Sequence, residues 1–265
     1  MFKIAITAGH YRYTAGKRCK KSIDPNETRE WVLNARIAEK VEALLKEYGD
    51  IEILRTDDRS GEKSVALADR TKAANNWGAD FYLSIHHNAG INGGKGGGIV
   101  AFVYTAPSVE SVEWQTELYN ALIAKTGLKG NRSNPLARKN LHEVRETKAP
   151  AVLLELGFMD STVDTPIILT EDFANKCAEA ITEVIVKRAR LTKKEASETF
   201  DSCLVRVSIS NLYIRSGAGT NYAKNGFIKP GVYTIIEEAD GKGASKWGKL
   251  KSGAGWISLD YVERI

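Results

Sequence analysis

The stretch FYLSIHHNAG, residues 81–90, ends an apolar run in two adjacent histidines, His86 and His87, in a chain that holds only four. His10 follows another apolar run, KIAIT (3–7), and Glu155 closes a third, AVLLE (151–155). Glu30 stands at the head of a helix-like segment soon after His10. Two histidines and a carboxylate can hold a zinc ion and leave one coordination position for water. A remaining glutamate can then take a proton from that water. Successive side chains of a strand point to opposite faces, so only one of His86 and His87 can face such a site. The other is a structural neighbour or a substrate contact. His142, in NLHEVRET, lies shortly before the Glu155 run and is a further candidate for substrate contact or for stabilising a developing oxyanion.

The elements that must position these groups alternate through the first 190 residues. KIAIT, IEILRT (51–56), FYLSIHH (81–87), GGIVAFVY (97–104) and AVLLEL (151–156) read as strands. Residues 29–48 place Leu33, Ile37, Val41 and Leu44 at helical spacing, with Gly49 as a stop. Helices are also expected over 66–78, 109–125 and 171–190. Alternation of this kind implies an α/β domain whose largely parallel, mixed sheet is covered by helices, with chemistry gathered at the carboxyl ends of the strands. NGGKGGG (92–98) lacks a following Lys-Ser/Thr pair and reads as a flexible turn rather than a phosphate loop. Residues 191–202, LTKKEASETFDS, read as a linker. From 203 to 265 short alternating runs separated by glycine turns imply a small all-β barrel or sandwich.

The chain's 265 residues suit one ordinary domain and one small one. No apolar run is long enough to insert into a membrane, and MFKIAITAGH is too short an apolar start for a signal peptide. The expectation is a protein made in the cytosol that leaves by a route not written in its sequence. The cysteines, Cys19, Cys177 and Cys203, are odd in number and scattered, which argues against a disulfide framework. Residues 203–265 hold nine basic and five acidic side chains, whereas the rest holds 29 and 28. The tail's excess suits an anionic polymer. Nothing points to nucleic acid, and the oligomeric state is left open. The run KRCKK (17–21) is a solvated loop or a grip on anionic groups, and its cations are expected to lower the Cys19 thiol's pKa. A cysteine nucleophile is one alternative to metal chemistry.

ITAGH (6–10), the helix ETREWVLNARIAEKVEALLKEYG (27–49), RTDDR (55–59), LADRTKAANNWGADFYLSIHHNA (67–89) and APAVLLELGFMD (149–160) together resemble the zinc-dependent N-acetylmuramoyl-L-alanine amidases of the Amidase_3 type. The resemblance covers roughly residues 1–190, with the motifs in the family's order. It implies one Zn²⁺ per chain held by His10, Glu30 and His86, with Glu155 as general base. Asn-Glu-Thr-Arg-Glu also offers Glu27; Glu30 is preferred because its spacing to Asn34, Ile37 and Ala38 fits the family helix. The implied reaction is hydrolysis of the amide bond between N-acetylmuramic acid and L-alanine of peptidoglycan by a zinc-activated water. A zinc peptidase cutting within the stem peptide, or a wall-binding protein without activity, are the alternatives. This chain departs from the family where His10 is followed by Tyr11 and Arg12, and where His87 replaces a small residue. Both departures bear on substrate choice rather than metal binding.

NLYIRSGAGTNYAKNGFIKPG (211–231) and WGKLKSGAGWISLDYV (247–262) resemble a bacterial SH3 (SH3b) domain, a module that commonly binds cell wall. Which of residues 203–265 would hold the wall is not readable; Tyr213, Trp247, Trp256 and Tyr261 are expected mostly in its core. An amidase over 1–190 with an SH3b tail over 203–265 resembles a phage or prophage endolysin. It would act on the bacterial wall after release, with anionic wall polymers as further partners.

Overall fold

The computed structural model describes residues 1–194 and 201–265. They form two compact units, the first being Met1–Lys194 and the second the remainder. The expected linker, 191–202, falls partly on residues 195–200, which lie outside the described residues. Its first part is tied to the body instead. Leu191 is buried, and the Gly49 and Lys194 amides donate to Thr192 and Glu47 carbonyls at 2.9 and 2.8 Å.

The first unit is built on a six-stranded sheet. Its strands are β1 (Phe2–Ala8), β2 (Ile51–Arg55), β3 (Phe81–Asn88), β4 (Ile99–Val103), β5 (Leu136–Arg138) and β6 (Ala151–Phe158), in the order β2-β1-β3-β6-β4-β5. β2, β1, β3 and β6 run parallel. β4 runs antiparallel to β6, and β5 parallel to β4, so the sheet is mixed. Helices α1 (Glu30–Leu45), α3 (Val109–Thr126) and α6 (Glu171–Ala189) share one large apolar core with the sheet. Ile4, Ile6, Leu83, Ile85, Val152 and Leu154 face that core and are fully excluded from water. Each such side chain contributes about 1.5–3 kcal/mol on burial. The opposite sheet face meets α2 (Leu67–Trp77) and α4 (His142–Glu146) through a smaller cluster holding Ala5, Ala74, Tyr82, Val144 and Leu153. By the strand's twofold alternation this second face also takes Ser84, His86 and Glu155. A further short helix, α5 (Asp164–Ile168), follows β6.

The helices end as their sequences direct. Ser108 and Thr170 accept backbone N–H bonds from Ser111 and Phe173 at 3.1 and 3.2 Å, capping α3 and α6. Gly78 and Gly127 close α2 and α3 in the left-handed conformation. The glycine-rich loop between β3 and β4 is not the free turn expected. Gly93 and Gly98 donate to the Asp160 carbonyl and the Asp164 carboxylate, both at 2.7 Å. A Cβ on Gly97 would sit 2.1 Å from an Asp164 oxygen. These glycines let the backbone approach Asp164.

The second unit is all antiparallel: β7 (Cys203–Val207), β8 (Tyr213–Arg215), β9 (Lys224–Phe227), β10 (Gly231–Gly241), β11 (Ala244–Leu250), β12 (Trp256–Ser258) and β13 (Glu263–Arg264). They pair in the order β13-β7-β10-β11-β12-β8-β9 around Val205, Val207, Leu212, Ile228, Ile235, Leu250 and Ile257. Among the described residues no ladder joins β13 to β9, so strand pairing does not close the expected small barrel. Its outer strands β9 and β13 are four and two residues long.

Candidate metal centre and active site

His10 sits one residue past Gly9, directly after β1, in the left-handed region with φ 68°. A non-glycine residue there is strained and must be held from outside. Arg70, buried in the first turn of α2, supplies the hold. Its guanidinium donates to the Thr7 hydroxyl (2.8 Å) and to the carbonyls of Ala8 and His10 (both 2.9 Å). The Gly9 amide donates to Ile85 on β3 at 2.9 Å, which ties the turn to the strand carrying His86.

Glu30 is the first residue of α1 and is 1% exposed. Its Oε1 lies 3.0 Å from His86 Nδ1 and its Oε2 lies 3.3 Å from His10 Nε2. The two imidazoles meet edge to face with centroids 5.0 Å apart. Donor atoms of His10, Glu30 and His86 all lie within 4.8 Å of one another. Glu27 is elsewhere, on a left-handed residue and paired with Arg18 at 3.1 Å.

The adjacent histidines separate as strand alternation requires. His87 is 2% exposed and turned to α1, where its Nδ1 lies 2.8 Å from Asn34 Oδ1. The Asn34 amide nitrogen donates to Gly9 O at 3.1 Å, so its oxygen accepts and His87 Nδ1 carries the proton. Burial pushes the His87 pKa down to about 3, and the ring is neutral. A substrate contact by His87 is therefore excluded: the side chain is packed behind the site. His142 lines the cleft with His10, His86 and Glu155, its Nε2 3.3 Å from the Thr71 hydroxyl.

Glu155 stands beside His86 in strand register on β6. One of its carboxylate oxygens is buried without a hydrogen-bond partner. Burial raises its pKa to about 7, with the His86 charge opposing and the Glu30 charge reinforcing the rise. A carboxyl so placed is poised to exchange a proton at neutral pH. Glu143, on α4, is the opposite case. It is buried too, yet the neighbouring His86 and the hydrogen bond from the Tyr82 hydroxyl outweigh burial and hold it at about 2. Of the two glutamates, only Glu155 suits a general base.

Three acids thus surround His86. Burial alone would depress its pKa, but Glu143 and Glu30 lift it to about 10. Glu30 stays ionised well below the usual range: burial opposes this, and bonds to both histidines overcome it. A buried pocket that draws a proton so strongly fits a cation. The nitrogen and oxygen donors suit zinc, and Glu30 Oε2 is a buried polar atom without a hydrogen-bond partner. Lys17, half exposed, reaches to 3.6 Å of Glu30 Oε2.

Cys19 overturns the expectation of an activated thiol. It is 1% exposed, and burial, then the charges of Asp24 and Glu30, push it up to about 12. The cations on either side of it are engaged elsewhere, Arg18 with Glu27 at 3.1 Å and Lys20 with the Asn92 side chain at 2.9 Å. A buried, protonated thiol is no nucleophile.

The sequence reading assigned no role to Arg70, Asn34 or Glu143. Arg70 and Asn34 lie within the quoted family motifs. Glu143 had one available signal: Tyr82, Ser84 and His86 form a polar face on a buried strand, which demands a polar partner.

Residues 4–187 match the family described as Amidase_3, N-acetylmuramoyl-L-alanine amidase. The sporulation-specific N-acetylmuramoyl-L-alanine amidase of Bacillus subtilis is 31% identical over 219 residues, covering 82% of this chain and 78% of that protein. The endolysin of Bacillus phage SPP1 is 29% identical over 189 residues, 71% of this chain and 66% of that protein. Among solved structures, an N-acetylmuramoyl-L-alanine amidase from Clostridium difficile superposes with a TM-score of 0.64 at 26% identity, covering 71% of this chain and 97% of that one. The chain belongs to the N-acetylmuramoyl-L-alanine amidase family, enzymes that hydrolyse the amide bond joining N-acetylmuramic acid to L-alanine in peptidoglycan.

Proposed function

We propose that His10, Glu30 and His86 hold a single Zn²⁺ and that Glu155 is the general base of the amidase reaction. The observation that carries this is the convergence of those three donor sets beside a partnerless carboxyl in register with His86. Bound there, the ion would supply Lewis acidity toward the scissile carbonyl and make water a better nucleophile at neutral pH. Glu155 accepts the proton of the attacking water and delivers it to the leaving L-alanine nitrogen. Its raised pKa suits both transfers. Arg70 and Asn34 keep the Gly9–His10 turn in place while this happens. His142 and Lys17, at the cleft, are placed to touch the stem peptide or glycan.

The antiparallel unit is read as an SH3-like wall-binding module with an excess of basic side chains suited to anionic wall polymers. It raises the local concentration of the enzyme at the wall, where the protein acts as an endolysin does. Removing residues 203–265 should weaken pelleting with walls more than hydrolysis of a soluble muropeptide; equal loss of both would overturn this reading.

Mass spectrometry of material released from purified peptidoglycan tests the enzyme. Intact stems with a free L-alanine amine, beside stripped glycan, are expected. Glu155→Gln should bind zinc and lose about 10²- to 10⁴-fold in kcat. Stems cut internally, or Glu155→Gln with more than about a tenth of the activity, would overturn the assignment.

A further inference from the structure

Three successive side chains on one face of β3 turn to a single carboxylate. The Tyr82 hydroxyl donates to Glu143 Oε1 at 2.7 Å, and Ser84 Oγ donates to Oε2 at 2.9 Å. His86 Nε2 lies 3.6 Å from the same Oε2. Glu143 is 3% exposed, and it lines the cleft that His10 and Glu155 also line. The two ring nitrogens of His86 therefore face different acids, since Nδ1 lies 3.0 Å from Glu30 Oε1.

Each arrangement of the ring proton has a different consequence. His86 Nε2 is buried and has no hydrogen-bond partner. A proton on it can be received by Glu143 Oε2, from which it is separated by roughly half an ångström more than a hydrogen bond. A lone pair on it would instead face an ionised carboxylate outside the donor cluster, whereas a lone pair on Nδ1 can be taken by a cation shared with Glu30 and His10. With the proton on Nε2, Nδ1 offers its lone pair toward Glu30 and His10. Glu143 cannot swing away to leave the ring unsupported, because both its oxygens are anchored by hydroxyls from the same strand.

We propose that Glu143 is a positioning residue for the metal centre: it receives the Nε2 proton of His86, fixes the ring's tautomer and aims Nδ1 at the metal. The proposal rests on the reading of His10, Glu30 and His86 as metal ligands. Carboxylates that bear on a ligating histidine orient it and raise its basicity, and their loss typically costs about 10- to 100-fold in metal affinity. Tyr82 and Ser84 in turn orient Glu143, which accounts for a hydroxyl pair on the inner face of a central strand.

Zn²⁺ affinity of the full chain, measured by competition with a chromogenic chelator, tests this without reading activity. Glu143→Ala should weaken Zn²⁺ by about 10- to 100-fold while the circular dichroism spectrum stays native. Glu143→Gln, whose amide oxygen can still accept from Nε2, should recover part of that loss. Nitrogen-15 spectra of the zinc-loaded wild type should show His86 protonated at Nε2, a readout that needs no variant to fold. Zn²⁺ affinity within about twofold of wild type in folded Glu143→Ala, or His86 protonated at Nδ1, would overturn the proposal. His86→Ala separates the two levels. If it loses Zn²⁺ while the Glu143 variants do not, the role of Glu143 fails alone. If it binds Zn²⁺ as the wild type does, the metal site fails and the proposal with it.

Discussion

Gly9→Ala isolates the geometry of the metal centre with one methyl group. A Cβ on Gly9 would lie 2.1, 2.3 and 2.4 Å from Cε1, Nδ1 and Nε2 of His86, whereas ordinary contact begins at 3.4 Å. The imidazole would have to retreat by about 1.3 Å, the difference between 3.4 and 2.1 Å. Its present contacts, Glu30 at 3.0 Å and Glu143 at 3.6 Å, leave no room for that without loss of both. Gly9 is not among the positive-φ residues, so alanine meets no backbone penalty and the whole effect falls on the ring. Overpacking of this kind costs about 1–3 kcal/mol, which a domain with this core survives. A displacement of about 1 Å in a reacting group costs on the order of 10²-fold, and Zn²⁺ affinity and turnover should both fall by at least that. Chelator competition and muropeptide release, alongside a thermal melt, measure it. A folded Gly9→Ala protein with Zn²⁺ affinity and turnover within about threefold of wild type would refute the placement of His86 as a ligand.

Three further outcomes concern the same site. Arg70→Ala leaves the buried Ala8 carbonyl and the half-buried His10 carbonyl without their donor and should destabilise the protein by about 1–3 kcal/mol. Zinc should be lost with the His10 turn; an unchanged melting temperature and affinity would sink the clamp. Because His86 is raised to about 10, the metal-free site is protonated at pH 7, and Zn²⁺ binding there should release about one proton. An indicator titration in weak buffer reads this, and binding without proton release would contradict it. In the metal-free protein the raised value also fixes the sign of a stability term. The His86 pairs contribute fully below the unfolded value of 6.5 and are lost as pH rises through about 10. Urea titrations between those limits should show stability falling.

The residues with local signatures were legible, and those that act across the sheet were not. His86, Glu155 and His10 stand where apolar runs stop, and Glu30 opens an amphipathic helix, so periodicity and motif order reach all four. Element types were readable for the long strands and helices because burial of one face repeats along them. β5 and α4 span three and five residues, too short to show a period. The direction of β4 was hidden for a different reason: an apolar strand buried on both faces looks the same in either orientation.

The unread part of the site has a common physical cause. Arg70 reaches carbonyls about 60 positions away, and Glu143 meets Tyr82 and Ser84 across 61 and 59. Alternation says which side of β3 a residue faces; which helix covers that side is decided by topology. The sequence nevertheless contains the demand, if not its answer. An interior strand that turns a tyrosine, a serine and a histidine to one face must find each a partner, because unpaired polar groups in a core cost more than the strand's own burial can spare. His86 meets that demand on both sides of its ring, with Glu30 from α1 and Glu143 from α4. A histidine held between two carboxylates can give its proton to one and leave its other nitrogen for a cation beside the second, and the proposed ligand role of His86 needs that division of labour.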